Sequence, residues 1–292
     1  MKSIVTTILS LIAIAVLFTG CRGPKLATAD EQMARGEYYD ASRTYRKIYN
    51  KLTKREERPL RGEVAFKMAE CHRQLRQSAR AAAAYQNAIR YGYPDSSAIL
   101  HLAEAQHADG KYAAAIKSYE DYLALNPTSA EATHGLRGAR LAADLRENRT
   151  RYIVRQSKLL NSRRADFAPM FYDGNLYFTS TNEKVTGDKK SEITGMKRGD
   201  IWVSKRNERG EWQRPEPVEG GVNTEADEGI ASFAPDGTMY LTVAKRLPNS
   251  PTGVEIYKAT RGDGTWSEAK PYEITADTVS SYGHPAVSPD GQ

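Results

Sequence analysis

Two periodicities divide this chain, one helical and one extended. In the first half, small residues and tyrosines recur at helix spacing. Gly36-Glu-Tyr38-x-x-Ala41-x-x-x-Tyr45 is matched position for position by Gly110-Lys-Tyr112-x-x-Ala115-x-x-x-Tyr119, and Ala81-x-x-x-Tyr85-x-x-Ala88 fits between them. The interval from Tyr45 to Tyr85 is slightly longer than that from Tyr85 to Tyr119. The later units end near prolines, Tyr93-Pro94 and Asn126-Pro127, where a helix is expected to stop. The pattern predicts three helical hairpins. Alanines 41, 81 and 115 let paired helices approach. Tyr45, Tyr85 and Tyr119 fill the space between hairpins, and Gly36 and Gly110 permit tight turns. The longer first unit fits a polar loop at Thr53 to Pro59, and Ser129 to Arg146 reads as a further amphipathic helix that caps the last hairpin.

The second half alternates apolar and polar residues in short runs broken by Asp-Gly. Ser232 to Val243 reads S-F-A-P-D-G-T-M-Y-L-T-V, Phe167 to Ser180 reads F-A-P-M-F-Y-D-G-N-L-Y-F-T-S, and His284 to Gln292 reads H-P-A-V-S-P-D-G-Q. Asp-Gly between strand-like runs predicts a hairpin with a two-residue turn. The interval from Trp212 to Trp266 equals the interval from Asp236 to Asp290. Short strands repeating at this length predict propeller blades, over residues 166–218, 228–274 and 282–292. The two tryptophans are expected to pack between neighbouring blades. Asn182 to Gly199 is expected to be an exposed, mobile loop, and Tyr152 to Val154 an entering strand. A propeller needs at least about four blades, so the polypeptide is expected to continue beyond Gln292.

Residues 1–20 differ from the rest. Lys2 precedes an apolar run from Ile4 to Phe18, which reads as a secretory signal. It ends in L-F-T-G-C, which resembles a bacterial lipobox and implies lipidation of Cys21. Lipid chains there would hold the protein on a membrane. Surface-exported lipoproteins of the Bacteroidetes resemble one another in acidic residues just after that cysteine. Here the residues are Arg-Gly-Pro-Lys, which points to the periplasmic face of the outer membrane. The one other cysteine, Cys71, excludes a disulfide framework and is expected to fill a helix core. Net charge is +6, concentrated in the front half, where Arg22 to Thr150 holds 22 Lys and Arg against 16 Asp and Glu. No aromatic-basic motif accompanies it, so nucleic acid is not expected as a partner.

Catalytic chemistry is not visible in the sequence. It has no nucleophile elbow, no phosphate-binding glycine loop and no zinc spacing, and its five histidines form no i, i+4 pair. Asp173, Asp236 and Asp290 are explained by turn geometry. Asp227-Glu228 reads either as a cation ligand or as edge charge. No catalytic residue, metal or cofactor is assigned, and the chain is expected not to be an enzyme.

The tyrosine-alanine units resemble the tetratricopeptide repeat. The F-x-P-x-x-x-D-G-x-L-Y-F-x-S units resemble the WD40-like propeller repeat of the TolB type, also called PD40. The expected fold is therefore α then β: a lipoprotein signal over residues 1–20, a tetratricopeptide α-solenoid over 21–150, and an incomplete TolB/WD40-like β-propeller over 151–292. The whole order resembles a family of Bacteroidetes outer-membrane lipoproteins that includes the PorE-like component of the type IX secretion system. The family resemblance implies an OmpA-like peptidoglycan-binding domain further along. It also implies a non-enzymatic scaffold that binds envelope or secretion-system proteins along the concave face of the solenoid. By the repeat's register that face carries Phe66, Glu70, Arg73, Leu100, Glu104 and His107. A periplasmic receptor, with a glycan or peptide in the propeller channel, is the alternative. A propeller that gates a hydrolase is a third.

Overall fold

The computed structural model describes residues 25–148, 150–247, 250–276 and 280–291. The expected signal segment and Cys21 lie outside them. The chain divides into two compact units, residues 1–148 and 149–292.

Among the described residues the first unit holds seven α-helices. These are α1 Leu26–Ala34, α2 Tyr38–Tyr49, α3 Arg58–Gln74, α4 Ser78–Arg90, α5 Ser97–Ala108, α6 Tyr112–Leu125 and α7 Ala130–Glu147. They form hairpins α1–α2, α3–α4 and α5–α6, with α7 packed on the last. Gly36 and Gly110 turn two of the hairpins with φ of 73° and 74°. The remaining hairpin makes the same turn with Arg76, at φ 54°, a left-handed conformation that costs a side-chain-bearing residue about 1–2 kcal/mol. Tyr45, Tyr85 and Tyr119 are buried between hairpins, as are Ala41, Ala81 and Ala115. Cys71 is fully buried in the same core, and burial pushes its thiol up to about 12. Ser129 caps α7 by accepting a hydrogen bond from the Ala132 amide. Gly135 in α7 is required by packing: a Cβ there would lie 2.4 Å from the Tyr119 ring.

The second unit contains two four-stranded antiparallel sheets. The first is β1 Asp166–Tyr172, β2 Asn175–Ser180, β3 Asp200–Ser204 and β4 Glu216–Pro217, paired in chain order. The second pairs β5 Asp227–Phe233, β6 Met239–Leu247, β7 Ser250–Ala259 and β10 Lys270–Pro271. A small hairpin of β8 Arg261–Gly262 and β9 Thr265–Trp266 lies between β7 and β10 in the chain. One apolar core serves both sheets, with Tyr177, Ile201, Val203, Met239, Leu241 and Trp266 inside it. Trp266 packs against Tyr177 of the first sheet, its ring centroid 6.4 Å away. Trp212 is half-buried instead, beside Phe171 and under the Arg206 guanidinium.

The two Asp-Gly turns differ. Asp173 and Gly174 both have positive φ, 49° and 71°, and close a two-residue turn between Tyr172 and Asn175. At the second copy only Gly237 is left-handed, at φ 88°. Its amide donates to the Ala234 carbonyl, and Ala234 donates to Thr238. Pro235 presets the ordinary right-handed turn, so the loop is longer than the tight turn expected. One further expectation is corrected and another holds in part. Tyr152 to Val154 form no strand and are 73%, 75% and 97% exposed, since no sheet edge lies beside them among the described residues. The Asn182 to Gly199 segment is exposed from Thr186 to Lys190 as expected, but Val185 is buried against Phe178 and Trp202 and the Thr186 amide donates to Asp200.

One contact recurs with the sequence repeat. Gly199, just before β3, donates its amide to Asp227 Oδ1 at 2.7 Å and accepts from the Glu228 amide at 2.9 Å. A similar pair of contacts returns one strand repeat later, displaced by one residue on the β7 side, with Ser281 and Tyr282 in the places of Asp227 and Glu228. There the Val254 amide donates to Ser281 Oγ at 3.4 Å, and its carbonyl accepts from the Tyr282 amide at 2.8 Å. Residues 281 and 282 thus meet β7 of the second sheet through the same two kinds of hydrogen bond by which β5 meets the residue before β3.

The first of these ties buries carboxylates. Asp200 and Glu228 are 0% and 1% exposed. Burial, with Asp200 and Asp227 nearby, raises Glu228 to about 7 against the hydrogen bonds from Thr224. Asp200 and Asp227 are raised as well, by burial first. Among the described residues these groups do not converge on a point that could hold a metal ion. A raised carboxyl means that the folded state binds its proton more tightly. Stability from Glu228 is therefore present below about 4.5 and lost as pH rises through about 7. The sheet unit is expected to lose roughly 2–3 kcal/mol between pH 5 and 8. Glu228→Gln should flatten that profile. The three tryptophans all lie in this unit, so urea melts followed by tryptophan emission read it directly.

Candidate functional site

The first helices of the three hairpins, α1, α3 and α5, place one carboxylate each at the same repeat position: Asp30, Glu70 and Glu104. At a fixed interval after each acid stands the buried tyrosine of the following helix, Tyr45, Tyr85 or Tyr119. The first two pairs are joined directly. Tyr45 donates to Asp30 at 2.6 Å, and Tyr85 donates to Glu70. Burial and the bonded acid both raise these phenols, so they stay protonated donors. The tyrosine that spaces the hairpins thus also holds a charge at the surface of the first helix.

Each of these acids also accepts a hydrogen bond from a basic residue of the next first helix. Lys67 Nζ lies 3.0 Å from Asp30, and His101 Nδ1 lies 2.9 Å from Glu70. A carboxylate can only accept, so His101 carries its proton on Nδ1. Arg73 adds a 2.7 Å contact to Glu70 from within α3. Burial alone would raise Glu70, but the bonds from His101, Arg73 and Tyr85 outweigh it and hold it at about 2.

The third step is built differently. The residue of α7 that matches His101 is Gly135, so Glu104 receives no cation from it. It faces Glu131 of α7 instead, and burial together with that neighbour raises its carboxyl. Tyr119 is pushed up to about 12, by burial and then by Glu104 and Glu131.

Of the six residues assigned to this face, Arg73 is the most open, with 41% of its side chain exposed. Glu70 and Glu104 are half-buried in the ladder. Phe66 is stacked under Tyr93 at 4.2 Å and also faces Tyr85 and His101. His107 is wedged edge-on to Tyr112 and Tyr119, and a Cβ on Gly138 would lie 3.2 Å from it. Leu100 is a correction: it is 6% exposed, in a core with Tyr119 and with Ala132 and Ala139 of α7. The capping helix covers it, so it is not available to a partner. Asp30, Lys67, Tyr93, His101 and Glu131 were not expected. The acids were within reach, because Asp30, Glu70 and Glu104 keep the same intervals as Tyr45, Tyr85 and Tyr119.

A family model described as tetratricopeptide repeat matches residues 63–96 and 97–129. The helical unit contains tetratricopeptide repeats. Such repeats are typically interaction modules rather than catalysts, and the matched residues span hairpins α3–α4 and α5–α6. Solved structures are similar, among them three tetratricopeptide domains. The first tetratricopeptide domain of Spaghetti (RPAP3), bound to the HSP90 peptide SRMEEVD, is 24% identical, covering 40% of this chain and 91% of that one at a TM-score of 0.34. The first such domain of human RPAP3 is 24% identical over 42% and 92%, at 0.35. The Sgt2 domain from Aspergillus fumigatus is 17% identical over 45% and 85%, at 0.34. No curated protein matches the chain.

Proposed function

We propose that this protein is a non-enzymatic scaffold that grips a partner protein along the first-helix face of its tetratricopeptide repeats. The observation that carries the reading is the charge ladder on α1, α3 and α5. It fixes Lys67, Arg73 and the Glu104–Glu131 pair at set intervals on one face, and tyrosines anchored in the core hold two of its acids. Rigid, regularly spaced charges suit an extended polypeptide, because little side-chain freedom is lost on binding.

The two sheets are read as blades of a TolB/WD40-like propeller. The inter-sheet tie supports this because it recurs at the interval of the strand repeat, and radial repetition needs one such contact per blade. The lipobox at Cys21, the repeats and the sheet motifs together resemble the Bacteroidetes lipoprotein family. On that resemblance the scaffold is lipid-anchored at the periplasmic face of the outer membrane, in an envelope complex of the type IX secretion kind. The same resemblance implies attachment to peptidoglycan.

Affinity purification from its own cells tests the grip. Arg73→Glu combined with Glu104→Lys is expected to lower recovery of the bound envelope protein on the order of tenfold, with helicity at 222 nm unchanged. Undiminished recovery would sink the reading. Cys21→Ala should release the protein from the membrane fraction while leaving its partner bound.

A further inference from the structure

The helical unit has a second concavity, away from the ladder. A groove of about 620 Å³ runs between the second helices α2 and α4, with the end of α3 as its floor. Arg43 and Arg46 line it from α2 and Arg80 from α4, all three exposed. Among the described residues no carboxylate belongs to its lining. Among the described residues none of these arginines makes an ion pair. Arg43 lies over the Tyr39 ring at 5.6 Å, and Arg80 donates to Gln77 Oε1 at 3.0 Å. His72, at the end of α3, faces this charge. Its imidazole is lowered by burial first, against the hydrogen bond with Gln77, and Arg80 and Arg46 lower it further.

We infer that this groove is a docking site for an acidic peptide segment of a partner protein. It shares no residue with the ladder face, so it goes beyond the function proposed above. Three guanidinium groups converge on one concavity without internal neutralisation, which favours a polyanion. The floor is recessed and apolar, with Met68 and Ala84 buried. The primary amides of Asn50 and Asn87 line the groove beside it, while Gln77 Oε1 is already bonded to Arg80 and His72. Primary amides can pair with both the N–H and the C=O of a peptide bond. That combination fits a polypeptide better than a lipid surface, which would need protruding basic and apolar groups rather than a trough. The chain's charge agrees, because its positive excess lies between Arg22 and Thr150.

The test uses the full chain and a fluorescein-labelled decapeptide of alternating glutamate and serine, followed by anisotropy. Saturable binding is expected. Arg46→Glu together with Arg80→Glu should weaken it on the order of tenfold or more. Lys117→Glu, on an exposed lysine of α6, should change it less than about twofold. The bound peptide should also raise the pH at which the His72 imidazole titrates by NMR, because nearby carboxylates favour the imidazolium. Equal weakening by Lys117→Glu would reduce the effect to net charge and overturn the site. Absence of saturable binding would overturn it too. So would arginine-dependent binding of phosphatidylglycerol vesicles by a chain that ignores the peptide.

Discussion

Gly220→Ala is expected to cost the sheet unit about 3–5 kcal/mol, enough to unfold much of it at room temperature. Gly220 has φ of 115° and bridges to Trp266. A Cβ at this position would lie 1.9 Å from the Trp266 carbonyl oxygen. Backbone cannot rotate out of the way as a side chain can, so the loop and β9 must separate. That breaks the bonds from Gly221 N to Trp266 O, 3.0 Å, and from Trp266 N to Glu219 O, 2.9 Å. It also draws the Trp266 ring, 5% exposed, out of the shared core. Each lost hydrogen bond contributes about 1 kcal/mol, and the strained backbone adds about 1–3 kcal/mol. Gly262→Ala is the control, because a Cβ there meets nothing within 4 Å and its φ is ordinary. Urea midpoints from tryptophan emission should fall steeply for the first variant and stay within roughly 1 kcal/mol for the second. Equal midpoints would mean that the two sheets are not joined at this contact.

Glu70→Ala should destabilise the helical unit by about 2–4 kcal/mol. It leaves the buried Tyr85 hydroxyl and His101 Nδ1 without their acceptor and frees Arg73. Glu70→Gln keeps the shape and one acceptor, and should cost less. The pH dependence distinguishes charge from packing. Glu70 is held at about 2 against an ordinary 4.5. Its contribution is therefore present above about 4.5 and lost as pH falls through about 2. The full shift would correspond to about 3 kcal/mol. Solvent screening at Arg73, 41% exposed, brings the expectation to about 2 kcal/mol. Helicity at 222 nm followed in urea at pH 7 and pH 3 should show the wild type converging on Glu70→Gln as the acid protonates. Parallel curves at both values would show that the bridge stabilises nothing.

The kinds of element and much of their spacing are legible in the residues alone. Helix and strand periodicities are local, as is the need for a left-handed backbone at Gly36, Gly110 and Gly237. The tyrosine-alanine and Asp-Gly repeats therefore announced hairpins and sheets, and they placed Tyr45, Tyr85, Tyr119 and Trp266 inside. Arg76, in the same left-handed turn as the two glycines, shows that a turn can persist where its usual residue does not. Which neighbour each repeated residue meets is settled only by packing. Glu70 and Glu104 are equivalent in the repeat, yet one faces His101 and the other Glu131, because the following helix carries a glycine at the matching position. Leu100 belongs by register to the open face, but α7 lies over it. The arginine groove gathers residues 43, 46 and 80 from two helices, with nothing in their spacing to announce it. Burial and charge are sums over groups distant in the chain, so they follow from packing, whereas backbone conformation follows from the residue and its immediate neighbours.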